Sequence, residues 1–107
     1  MTAEKKLQNA ILLRFATRPD MRLWRANTGH GISMDGKRHL SFGIPGQADL
    51  SGILRDGRRL EIECKSPNGQ QSEEQRNFAA MIRQFNGVYI LARSVEDVER
   101  GLQEAGI

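Results

Sequence analysis

The segment "ADLSGILRDGRRLEIECK", residues 48–65, contains two strand-like runs separated by Asp56 and Gly57. An Asp-Gly pair between two such runs is a strong short-range signal for a β-hairpin. We therefore predict two antiparallel strands, at 48–55 and 58–65. The way these strands pair decides which polar side chains of the chain lie together.

Side chains of the second predicted strand alternate between the two faces of the sheet. One face is apolar and is predicted to be buried, and the other is charged; the two sets are Leu60, Ile62 and Cys64, and Glu61, Glu63 and Lys65. Spacing alone leaves two interpretations of the charged face open. It fits a solvent-facing strand edge with weak ion pairs, and it fits a site for divalent-metal chemistry at a phosphodiester.

The position of Asp49 on the first strand depends on the turn. A two-residue turn at 56–57 places Asp49 opposite Cys64, where it flanks Glu63 and Lys65. A β-bulge would shift the pairing by one residue and bring the acidic side chains onto one face. Counting residues from a two-residue turn predicts the register with Asp49 opposite Cys64, and it leaves the bulged register, shifted by one residue, open.

Three segments precede the hairpin. Thr2 is placed to cap a first helix, whose apolar positions recur at helical spacing: Leu7, Ala10, Ile11, Leu13 and Phe15. "MRLWRAN", residues 21–27, is predicted as a short strand, and the glycine-rich segment 28–46 shows no sustained period. A connection of that length is usually functional or mobile, so we expect 28–46 to contact phosphate or to be a flexible loop.

Three elements follow the hairpin. Ser72 and Gln75 form a capping box at the start of a helix that ends at Gly87 and has the apolar stripe Phe78, Met81, Ile82 and Phe85. "VYILA", residues 88–92, is predicted as a strand covered on both faces. Ser94 then caps a last amphipathic helix.

The predicted order is helix, three strands, helix, strand, helix. This order predicts a single α/β domain over residues 1–107, with a mixed sheet flanked by helices. The strand that follows the second helix should pair parallel to an earlier strand through a right-handed crossover.

Charge is distributed unevenly along the chain. Residues 1–46 hold eight Lys and Arg against three Asp and Glu, whereas residues 47–107 hold eight against ten. A basic half beside an acidic cluster suits a polyanionic ligand next to a cation site, and it equally suits an unevenly charged solvated surface. The single cysteine excludes an internal disulfide and favours a reducing compartment. Because the sequence lacks an apolar run of about 18 residues and a signal-peptide pattern, we expect a cytoplasmic protein that does not enter membranes.

Three acidic positions and a lysine occur in a recognisable order. Glu4 in the first helix, Asp49 after "GIPGQ", and Glu63-Cys64-Lys65 on the next strand resemble the PD-(D/E)XK nuclease superfamily. More narrowly, "FGIPGQADLSGIL", "EIECKSPNGQQSEEQRNF" and "GVYILARSVEDV" resemble the VRR-NUC family. The resemblance covers almost the whole chain and implies a restriction-endonuclease-like core, αβββαβ plus a C-terminal helix. Ala48 stands where the superfamily has proline.

The resemblance also implies a site and an activity. It implies a magnesium-dependent DNA endonuclease, with manganese able to substitute, that acts on branched DNA such as Holliday junctions as a homodimer. Asp49 and Glu63 would be the metal carboxylates, the Cys64 main-chain carbonyl a third ligand, and Lys65 would act on the attacking water. Glu4 would complete the site from the first helix.

Several roles stay open at this point. Glu4 is also explained as a charge partner of its own helix N-terminus. Gln75 is either a site residue, as the resemblance implies, or only a helix cap. Arg25, Lys37 and Arg38 are predicted to contact DNA phosphates, because they lie in the basic half of the chain. The alternative functions are a catalytically silent DNA-binding module on the same fold and a flap or restriction-like nuclease.

Overall fold

The computed structural model of the protein describes residues 1–26, 29–32, 34–37 and 39–107, with 29–32 and 39–42 described as main chain alone. Its three helices and six strands, in chain order, are α1 (Ala3–Phe15), β1 (Met21–Arg25), β2 (Gly29–Ile32), β3 (His39–Phe42), β4 (Leu50–Leu54), β5 (Arg59–Cys64), α2 (Glu73–Gln84), β6 (Val88–Ala92) and α3 (Val95–Glu104). The predicted α/β class is confirmed. Within these residues, no helix is both long and apolar enough to cross a bilayer.

Four strands form one mixed sheet in the order β1-β4-β5-β6. The pairs β1–β4 and β4–β5 are antiparallel, and β5–β6 is parallel. The parallel pair is joined through α2, so the predicted crossover strand is confirmed. Strands β2 and β3 form a separate antiparallel pair within segment 28–46. The flexible-loop alternative is therefore wrong for this part of the segment, and contact with phosphate stays a prediction.

The β4–β5 hairpin has the register of the bulged alternative. Ser51 pairs with Glu61, and the Leu54 N–H donates to the Arg58 carbonyl at 2.9 Å. The predicted two-residue turn is wrong, because Gly57 takes a left-handed φ of 92° and closes a three-residue connection. The pairing moves by one residue relative to the count for a two-residue turn.

Helices pack against both faces of the sheet, and one of the two faces is only partly covered. On one face α1 and α3 enclose a core of buried residues: Ile11, Phe15, Met21, Leu23, Leu50, Leu54, Leu60, Ile62, Cys64, Ile90, Ala92, Val98 and Leu102. On the other face α2 packs over β6 and the start of β4, with Ala48, Phe78, Ala79, Ile82 and Tyr89 buried. The prediction that the apolar face of β5 is buried is therefore confirmed, and most of its charged face is buried as well.

The predicted apolar stripes of two helices need correction. Leu13 is 91% exposed and Phe85 is 74% exposed. Successive helical residues are about 100° apart, so Leu13 lies far around the helix from Ile11. The buried positions of α1 are instead Gln8, Ile11 and Phe15, and Phe85 is the C-terminal cap of α2 rather than part of its packed face.

Gly46 holds the loop before β4 against the first turn of α2. Its φ is 78°, and a Cβ there would overlap the main-chain carbonyl of Glu74. Gly57 has a comparable φ of 92° but open space around the same position. We expect Gly57→Ala to cost about 1–2 kcal/mol of unfolding free energy through its left-handed backbone. Gly46→Ala should cost more, because it adds displacement of the loop from α2.

Urea denaturation of the two variants measures this difference. The Gly57→Ala protein controls for the backbone strain common to both positions. Equal losses of stability in the two variants would contradict tight packing of the loop at Gly46 against α2.

Candidate active site

Neighbouring strands bring Asp49 and Glu63 together. Asp49 lies one residue before β4, and the observed register continues to a position opposite Glu63 on β5. The Ala26 N–H donates to the Asp49 carbonyl at 3.0 Å, so β1 also holds this residue in place. The Asp49 Oδ2 atom accepts a hydrogen bond of 2.8 Å from the Cys64 main-chain N–H.

Glu63 is held from two sides and is only 3% exposed. Its Oε2 atom accepts a hydrogen bond of 3.1 Å from Gln75 Nε2 and lies 3.7 Å from Lys65 Nζ. Its Oε1 atom is buried and finds no hydrogen-bond partner among the described residues. A buried carboxylate oxygen of this kind is costly unless water or a cation completes its environment.

Gln75 caps its helix and also contacts Glu63, while its role as a functional site residue stays a prediction. Its Oε1 atom accepts from the Ser72 N–H at 2.9 Å, and its own N–H donates to Ser72 Oγ at 3.1 Å, so the capping box is complete. The other end of the same amide donates to Glu63. The first turn of α2 thus fixes the side-chain position of Glu63.

Glu4 and Lys65 border the same pair of carboxylates. The Glu4 Oε2 atom accepts from the Ser66 N–H at 3.4 Å, although Glu4 also lies in the first turn of α1. Its charge contributes to the raised pKa values of both Asp49 and Glu63. The Lys65 side chain is only 12% exposed, so its ammonium group lies in a partly desolvated position beside Glu63.

Cys64 contributes to this region through its main chain. Its side chain is fully buried in the core of the opposite sheet face, and burial raises the pKa of the thiol to about 12. The thiol is therefore an inert core group. Because the N–H and C=O of one strand residue point toward the same neighbouring strand, the Cys64 carbonyl faces the side on which its N–H meets Asp49.

The two carboxylates share a strongly unfavourable electrostatic environment. Burial raises the pKa of Glu63 to about 8, with the charge of Asp49 adding to the effect and Lys65 opposing it. Burial also raises the pKa of Asp49, against the hydrogen bond from Cys64. The pair therefore retains a proton near neutral pH when no cation is present.

The residues present fit a hard divalent cation. Across the described ranges, no three His, Cys, Asp or Glu side chains are grouped to hold a metal ion. The predicted ligand set is smaller, since it combines the carboxylates of Asp49 and Glu63 with the Cys64 carbonyl. Magnesium usually takes one or two protein carboxylates together with water and substrate oxygen, and the unpartnered Oε1 of Glu63 is a suitable donor.

Of the predicted DNA-binding residues, only Arg25 has described side-chain contacts. Arg25 donates from Nη1 to Gln8 Oε1 at 2.7 Å and from Nη2 to Asn9 Oδ1, and thereby links β1 to α1. Lys37 is exposed, and Arg38 lies outside the described residues. Contact of these three residues with DNA stays a prediction.

Sequence reasoning missed a buried tyrosine next to the carboxylates. Tyr89 on β6 is 7% exposed, and its hydroxyl accepts from Gln71 Nε2 at 3.0 Å. Burial and the charge of Glu63 raise its pKa to about 12. Its hydroxyl is the only polar side-chain group in the apolar run "VYILA". Strand periodicity does not distinguish a tyrosine beside a site from a tyrosine of the core.

Comparison with protein-family models, with curated proteins and with solved structures finds no match to this chain. Membership of the nuclease family named above stays a prediction.

The raised pKa of Glu63 predicts how stability depends on pH without metal. A folded-state pKa above the unfolded one gives a contribution that is complete below the unfolded value and is lost as pH rises through the folded value. Between pH 6 and 9 in EDTA, we expect the unfolding free energy to fall by an amount on the order of 2 kcal/mol. Glu63→Gln should remove most of this fall, and Glu96→Gln on α3 should not.

Urea titrations at several pH values measure the effect. The same pH dependence in the wild-type and Glu63→Gln proteins would contradict a shared proton at the carboxylate pair.

Proposed function

We propose that the protein is a magnesium-dependent DNA endonuclease of the PD-(D/E)XK superfamily, similar to VRR-NUC nucleases. The observation that carries the proposal is the adjacent pair Asp49 and Glu63, with Lys65 3.7 Å from Glu63 and the Oε1 atom of Glu63 left without a partner among the described residues. A solvated strand edge would expose these side chains, whereas Glu63 is 3% exposed. Desolvation of like charges beside a lysine is typical of a functional site.

The main supporting feature of the fold is its order of elements. A helix, antiparallel strands, a crossover helix and a parallel strand occur in the order expected for this superfamily. The separate β2–β3 pair is inserted between the first and second strands of the sheet. Its place before β4 leaves the β4–β5 hairpin, which carries Asp49 and Glu63, uninterrupted.

Asp49, Glu63 and the Cys64 carbonyl would hold the cation. When bound, magnesium would lower the pKa of a water molecule and offset charge on the scissile phosphate. The two carboxylates would have to release their shared proton to bind it, so affinity should rise with pH. The hydrogen bond from Cys64 keeps Asp49 oriented during this exchange.

Lys65 and Gln75 have distinct roles in the proposal. The Lys65 ammonium is placed to orient the attacking water and to stabilise the extra negative charge on the phosphate. Gln75 is a positioning residue, because it acts on Glu63 through a 3.1 Å hydrogen bond. Glu4 adds a third carboxylate to the border of the site and strengthens its attraction for cations.

The proposed substrate is branched DNA, and the proposed assembly is a symmetric homodimer. The net charge of +3 and the basic residues of the N-terminal half favour a polyanionic ligand. A four-way junction requires two matched incisions, and one chain provides one carboxylate pair. Two-fold symmetry is the simplest way to supply the second.

Variants of the site test the chemistry. We expect Asp49→Asn, Glu63→Gln and Lys65→Ala each to lower cleavage at least about 100-fold, since a positioned metal contributes several kcal/mol to the transition state. DNA affinity measured in EDTA should change little. The assay uses labelled duplex, flap, fork and four-way junction DNA with magnesium or manganese, and Glu96→Gln is the matched control.

Two outcomes of this assay count against the proposal. Full activity of Glu63→Gln, or of the wild-type protein in excess EDTA, would exclude the metal mechanism. Binding of all substrates without cleavage by the wild-type protein would favour the silent DNA-binding module.

The assembly has its own test. Sedimentation at micromolar concentration should give about twice the 12.0 kDa mass of the chain. A 12 kDa species that still makes paired cuts in a junction would rule out the dimer argument.

A further inference from the structure

Half of one sheet face is left open beside the carboxylate pair. Helix α2 packs over β6 on this face, whereas Arg22, Trp24 and Ile53 on β1 and β4 are exposed and Ser51 between them is buried. Trp24 and Ile53 are each 46% exposed. They are diagonal neighbours on adjacent strands, because Trp24 pairs with Ser51 and Ile53 pairs with Arg22.

Strand register arranges this open face in rows. From the hairpin end to the carboxylates, the rows are Arg22, Ile53 and Arg59; then Trp24, Ser51 and Glu61; then Ala26, Asp49 and Glu63. Successive rows on one face are about 6.6–6.8 Å apart along the strands. Trp24 therefore lies one row from the proposed cleavage site, and two arginines lie one row beyond it.

The arginines give the far row a positive charge. Arg59 is half-exposed, with its Nε atom 3.6 Å from the buried Glu61 Oε2. Arg22 is exposed, and its Nη1 atom donates to the Arg18 and Met21 carbonyls at 2.8 and 2.7 Å. The main-chain carbonyls hold the Arg22 guanidinium at the start of β1, and Glu61 holds that of Arg59 on the open face, so both lie toward the end opposite the carboxylates.

We propose that this open face binds a DNA strand, with an unpaired base next to the cleaved phosphate stacked on Trp24. Arg22 and Arg59 contact a phosphate further along the same strand. The proposal deepens the proposed function and rests on it for the place of cleavage. It defines the substrate class as DNA with an unpaired nucleotide at the scissile phosphate, as in a flap, fork or open junction.

The chemistry of the face favours this occupant. Proteins that bind single strands combine exposed aromatic rings, on which bases stack, with positive charge that follows the backbone. The face provides one ring, a neighbouring aliphatic side chain and two arginines, in line with a site that acts on phosphate. If two copies packed these faces together with their strands parallel, the arginine row of one copy would lie against the arginine row of the other, and the like charges would repel.

Trp24 reports directly on this contact, because it is the only tryptophan in the chain. The wild-type protein is titrated in EDTA with a short oligothymidylate, and with an abasic oligomer of the same length and charge. We expect the thymidylate to quench Trp24 fluorescence strongly and the abasic oligomer to leave it nearly unchanged.

Affinity measurements complete the test. Trp24→Ala should weaken thymidylate binding at least about fivefold, since stacking contributes about 1–3 kcal/mol per base. Binding of the abasic oligomer should stay the same. Trp24→Phe should retain most of the affinity, and Phe85→Ala, which removes another exposed aromatic ring, should retain all of it.

Three outcomes would overturn the proposal: equal quenching by the two oligomers, unchanged affinity of Trp24→Ala, or conversion of a dimer to a monomer by Trp24→Ala. The last would identify the face as a contact between copies. Because these measurements need no metal, base stacking without cleavage of any substrate would contradict the proposed function and leave strand binding at Trp24 in place. Cleavage without stacking would contradict this inference alone.

Discussion

The hydrogen bond between the Cys64 main-chain N–H and Asp49 Oδ2, at 2.8 Å, is the contact on which the site depends. It continues the contact between the two strands beyond the last β4–β5 pair, with the Asp49 side chain as the acceptor in place of a main-chain carbonyl. This position exists only because the connection at Gly57 shifts the register by one residue. With the other register, Asp49 would lie opposite the residue whose side chain enters the core. The conformation of Gly57 at the turn thus decides whether Asp49 and Glu63 lie opposite each other. Glu63 is six residues along β5 from this glycine, a distance of about 20 Å.

The site is assembled against the preferences of its own residues. Burial raises the pKa of both Asp49 and Glu63, and each negative charge disfavours the other. The compensation comes from the opposite face, where the helices α1 and α3 bury a continuous apolar core. Strand β5 joins the two, because its alternate residues belong to the core and to the charged face. A strongly packed face allows the other face to hold groups that do not stabilise the fold by themselves.

Local patterns predicted most elements, and long-range packing decided the rest. The hairpin, the capping box at Ser72 and the parallel strand β6 follow from short-range signals that the structure obeys. The register did not follow, because Gly57 fits a two-residue and a three-residue connection equally well from sequence. Leu13 was assigned to a buried stripe by its hydrophobicity, whereas helix geometry turns it to solvent. The roles of Gln75 and Tyr89 depend on neighbours 12 or more residues away, which periodicity cannot reveal.

The double use of Gln75 narrows the residue types that its position can accept. A cap alone would accept glutamate as readily as glutamine, since both complete a capping box. A glutamate there would place another negative charge against Glu63 and remove the amide donor that holds it. A shorter polar side chain would not reach both partners, so it would lose either the hydrogen bond with the Ser72 N–H or the hydrogen bond with Glu63. Homologues with the proposed chemistry should therefore vary at the exposed positions of α2 and keep an amide at position 75, while homologues without that chemistry are free to carry glutamate there.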